Sequence, residues 1–148
     1  MKWLPVFGLI LLALSPFARA DTPIGSIDGF EGHIRQCLLQ GDDPPECLGE
    51  TMRGHFSPGN ERLNKVVDRV AGLFGQWLAD DDVFALHPVK RKRLGDFYEE
   101  RVYLIEDTTG SLVMLETSFV NTLGKWYLHR FNLSSKEKTM ESVLGVDL

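Results

Sequence analysis

The hydrophobic period of this chain changes once, at Gly95: apolar residues recur at helical spacing before it and alternate after it. From Ser26 to Gln40 they fall at Ile27, Phe30, Ile34, Cys37 and Leu38, and Gly41 with Pro44-Pro45 closes this first helix. The stretch "PECLGETMRGHF" has room for a short helical turn. A second helix is marked by Ser57 as its cap, Pro58 at its first position and Glu61 at the positive end of its dipole. Leu63, Val66, Val67, Val70, Leu73, Phe74, Trp77 and Leu78 then form one long apolar face. Gly72 and Gly75 interrupt it at about 1 kcal/mol each relative to Ala, a cost that close approach to a sheet would offset. Asp80 to Asp82, unfavourable at the negative end of a helix, mark the exit.

Beyond Gly95, "FYEERVYLIED" and "SLVMLETSFVN" read as strands joined at Thr108 to Gly110. In the second, Val113, Leu115, Thr117 and Phe119 share one face, and Met114, Glu116 and Ser118 the other. "TLGK" turns the chain again, into a strand that begins at Trp126. There the alternation breaks. Trp126 and Leu128 share a face with Arg130 and Asn132, whereas Phe131 and Leu133 lie on the face of Tyr127 and His129. One extra residue at His129-Arg130, a β-bulge, would restore a single apolar face and bend the strand. The same bulge could instead aim His129 or Arg130 into a pocket. Helices followed by an antiparallel meander define an α+β fold: N-terminal helices, one of them long and amphipathic, packed on a curved sheet. Phe74, Trp77, Phe119 and Trp126 are the expected interior. "TMESVLGVDL" offers an edge strand or a terminal turn.

Residues 1–20 have the form of a cleaved leader. Lys2 precedes the apolar run "WLPVFGLILLALSPF", and Ala18-Arg19-Ala20 makes a small-residue cleavage site before Asp21. The run is shorter than the ~20 residues a membrane span needs. A single domain over 21–148, not membrane-spanning and either periplasmic or secreted, is the expectation. Of 16 basic and 21 acidic side chains, Lys2 and Arg19 leave with the leader, taking the net charge from −5 to about −7. That balance opposes nucleic acid as a partner. "KRKR", Lys90 to Arg93, therefore reads as a solvated run, with Asp80 to Asp82 as its partners. Cys37 and Cys47 are the only cysteines, and an oxidising compartment favours a structural disulfide. Closing so short a loop contributes roughly 2–3 kcal/mol.

The last strands carry an aromatic position, a Gly turn, then Trp-x-Leu and Phe-x-hydrophobic: Phe119, Gly124, Trp126, Leu128, Phe131 and Leu133. With the helix order before them, they resemble the cystatin-like and nuclear transport factor 2-like α+β superfamily, in particular small exported bacterial proteins of uncharacterised function. The resemblance implies a bent sheet wrapped around a long helix. It carries over no activity, because the Gln-x-Val-x-Gly loop of cystatin-type inhibitors is missing.

His33, His55, His87 and His129 stand singly, with no metal-ligand spacing. There is no nucleophile elbow, phosphate-cradling loop or dinucleotide fingerprint, so the sequence yields no catalytic set, no metal site and no cofactor. Two expectations follow. One is a non-catalytic exported domain that binds a protein or small ligand. The other is a small cone-pocket enzyme or carrier for an apolar molecule, with Tyr103, Glu116, His129 and Arg130 as its pocket residues.

Overall fold

A computed structural model describes residues 21–147; the leader expected over 1–20 lies outside the described residues. Helix α1 (Ile27–Gln40) is capped by Ser26, whose hydroxyl accepts from the Gly29 N–H at 3.0 Å. Helix α2 (Pro44–Met52) occupies the segment with only a weak helical signal, with Asp43 accepting from the Glu46 N–H. The Cys37–Cys47 disulfide ties the end of α1 to the start of α2, with Cα atoms 5.4 Å apart. Helix α3 (Asn64–Leu78) follows a 3₁₀ turn at Glu61–Leu63. It starts later than Ser57 and Pro58 suggest, because the Ser57 hydroxyl is engaged elsewhere. At 15 residues it is scarcely longer than α1 at 14. Asp21 is tied to this region: its carboxylate accepts from the Phe56 N–H and from the Asn64 amide.

Four antiparallel strands follow in the order β1-β2-β3-β4. They are β1 (Val83–Leu94), β2 (Tyr98–Asp107), β3 (Leu112–Thr122) and β4 (Lys125–Ser134). The sequence indicated the last three, whereas β1 absorbs the segment expected to be a solvated run. The β3–β4 turn is two residues long, with Leu123 at φ 54° and Gly124 at φ 77°. Positive φ at both centres suits the right-handed twist of a hairpin, and Gly124 has no Cβ to oppose it.

Helices α1, α2 and α3 cover one face of the sheet. Phe30, Ile34, Leu48, Val67 and Phe74 from the helices pack with Tyr103, Ile105, Leu115, Phe119 and Leu128 from the strands. Phe119 meets Phe30 edge-on at 5.7 Å between ring centres. Phe74 and Phe119 are fully buried as expected, while Trp77 and Trp126 are half-buried at the margin. The two helix glycines do not lie against the sheet. A Cβ placed at Gly75 would meet the Pro45 ring of α2 at 3.6 Å, and nothing comes within 4 Å of one placed at Gly72. The opposite face is closed in part by α4 (Glu137–Leu144), whose Met140 packs on Val102 and Met114. The C-terminal segment is thus a helix, neither edge strand nor turn.

Candidate functional site

The break in β4 is a bulge at His129. Leu128 pairs with Phe119 and Arg130 with Ser118, so His129 is the residue without an opposite number. The insertion returns Phe131 opposite Thr117 and Leu133 opposite Leu115, on the core side with Trp126 and Leu128. His129 turns to the loop before α3. Its Nδ1 lies 3.2 Å from the Ser57 hydroxyl and 3.0 Å from the Asn60 amide nitrogen, which donates to it. The same amide donates to the His129 carbonyl. Burial, with the Arg130 charge as a lesser cause, lowers the His129 pKa, which keeps the ring neutral and able to accept. The arrangement clamps loop 57–60 onto the bulge.

The four pocket candidates do not converge. Tyr103 pairs with Leu115 on the helix-facing side, and burial raises its pKa to about 12. Glu116 pairs with Val102 and Asn132 on the opposite face. Arg130 is exposed on that opposite face, in register with Ser118. His129 is held at the sheet edge. Tyr103 borders a cleft of the helix-facing side.

The polar cluster that does form lies where the start of α1 crosses β1 and β2. Arg101, 7% exposed, donates through Nε to Glu99 Oε1 at 2.7 Å and through Nη2 to Asp28 at 2.5 Å, and also pairs with Glu31. Glu99, 2% exposed, is also ion-paired with Arg91, whose Nε lies 2.8 Å from Oε1. The Arg101 hydrogen bond, and then its charge, lower the Asp28 pKa below the usual carboxylate range. Two clefts flank the cluster and share Arg91 and Arg101. One, about 350 Å³, lies toward Tyr103 and Glu31; the other, about 250 Å³, lies toward Ser26 and Trp126.

The basic run is exposed, as expected of a solvated run, but its partners lie in this region. Arg91 pairs with Glu99, Arg93 with Asp96, and Lys90 approaches Glu100 at 3.9 Å. Of Asp80 to Asp82, the partners expected for it, Asp81 and Asp82 contact Thr108 instead. A sequence signal existed. In "RKRLGDFYEER" the charges are mirrored about the turn, which sets Arg93 opposite Glu99 and Lys92 opposite Glu100. Among the described residues, no group of three or more His, Cys, Asp or Glu could hold a metal ion, and no helix is long and apolar enough to cross a membrane. The chain matches no protein-family model and no curated protein sequence.

Proposed function

We propose that the chain is an exported, non-catalytic domain that binds a ligand or protein partner through an anionic group, held by Arg91 in the groove between α1 and β1. One observation carries this reading. Arg91 is anchored by Nε to buried Glu99, while its terminal nitrogens have no partner among the described residues and stand between the two clefts. A guanidinium fixed in this way keeps the edge that grips a carboxylate or phosphate with two parallel hydrogen bonds. Cleavage before Asp21, a periplasmic or secreted location and a cystatin-like or nuclear transport factor 2-like shape belong to the same reading. The disulfide and the tethering of Asp21 support it.

Native mass spectrometry of the chain expressed with its leader and recovered from the exported fraction tests the proposal. The expected species begins at Asp21 and carries a bound anion or partner that Arg91→Ala loses. A bound species retained by Arg91→Ala would contradict the binding site; a retained leader would contradict the export step alone.

The alternative, a small enzyme or carrier for an apolar molecule, draws on the Ser57 hydroxyl lying within reach of a neutral His129. It requires that Ser57→Ala and His129→Gln each abolish turnover or uptake in folded protein.

A further inference from the structure

Helix α3 has two apolar stripes. Val67, Ala71, Phe74 and Leu78 are buried in the chain's own core. Val66, Val70, Leu73 and Trp77 form the second, in which Val66 is 39% and Leu73 51% exposed. Its spacing of four, three and four residues is that of a helix–helix seam. The stripe is also symmetric. About a point between Ala71 and Gly72, Val66 exchanges with Trp77 and Val70 with Leu73.

The charges around the stripe have the same symmetry and the wrong polarity for a lone helix. Glu61 accepts from the Gly59 N–H, and Asp68 pairs with Arg53. Arg62 and Lys65 are exposed, with no ion pair among the described residues, at the helix N-terminus, whose dipole is positive. Asp80 to Asp82 follow the C-terminus, whose dipole is negative. Each group is unfavourable at its own end. Laid antiparallel on a second α3, each meets the opposite charge, and the two dipoles oppose.

From the exposed stripe and the charges at its two ends we infer that the α3 seam is a self-complementary docking surface for a second copy of this chain, related by a two-fold axis passing between Val70 and Leu73.

Sedimentation equilibrium on the chain beginning at Asp21 tests this. The wild type is expected to dimerise, with an affinity that weakens as salt rises. Leu73→Glu changes an exposed residue, so the fold should persist, as circular dichroism would show, while dimer affinity falls at least about tenfold. The double variants Arg62→Glu/Lys65→Glu and Asp80→Lys/Asp82→Lys should each self-associate poorly, yet form a mixed dimer when combined. A monomeric wild type, an unchanged Leu73→Glu dimer, or a mixture of the two charge variants that stays monomeric would each overturn the inference.

Discussion

The two edges of the sheet are managed in opposite ways. At β4 the outward backbone groups are paired. Ile24 donates to the Trp126 carbonyl, Ser57 donates to the Leu128 carbonyl, and Leu128 donates to the His55 carbonyl. The bulge at His129 and its clamp hold that seal. At β1 protection comes from side chains: Pro88, an irregularity between Pro88 and Lys90, and the run Lys90 to Arg93. One edge is sealed by backbone hydrogen bonds and apolar packing. The other is ordered by ion pairs, and it is there that a guanidinium keeps free donors. A sealed edge suits stability, and a charged one with unused donors suits recognition.

The largest expected effect lies on the β1 side. Arg101→Ala leaves Glu99 buried with only Arg91 to pair with, and should cost about 3–5 kcal/mol in urea unfolding. A much smaller loss would mean that the cluster is more hydrated than its burial indicates. At β4, deleting His129 removes the bulge yet keeps Leu128, Phe131 and Leu133 facing inward. It should cost about 1–2 kcal/mol, the value of the lost hydrogen bonds. Deleting Tyr127 instead turns Trp126 away from the core and should cost more in the same assay. At the β3–β4 turn, Leu123 is 96% exposed and has a positive φ. Leu123→Asn should gain about 1 kcal/mol, since Asn tolerates that conformation.

The smallest effects separate the edges by pH. His129 has a depressed folded pKa, so its contribution is complete above the unfolded value near 6.5 and is lost as pH falls below it. His129→Gln should flatten that part of a thermal melting profile. Asp28 is depressed as well, so its contribution is complete above 3.8 and is lost in more acidic solution. Asp28→Asn should therefore change only the acid limb.

The same contrast explains what the sequence disclosed. In β3 and β4 neighbouring positions differ in polarity, so alternation reveals the faces, and its failure between Leu128 and Phe131 located the bulge. In β1 both faces are charged from Lys90 to Arg93, so no alternation is visible and the strand resembles a solvated run. Its order comes from Glu99 and Glu100 across the hairpin, information held by pairs of residues. Ser57 looked like a helix cap because its true partner, His129, is 72 positions away. Among the pocket candidates, Tyr103 and Glu116 rested on residue type, and His129 and Arg130 on the bulge. Register then separated Tyr103 from Glu116, since adjacent registers face opposite ways.

The contrast between the edges can be read directly from ¹H–¹⁵N spectra of the chain titrated with inorganic phosphate and, separately, with an acidic peptide. The account predicts shifts at Arg91 Nε and at the amides of Asp28, Arg91 and Arg93, with Leu128, His129 and Arg130 unmoved. Shifts centred on Ser57, Asn60 and His129, with the Arg91 signals unchanged, would contradict it.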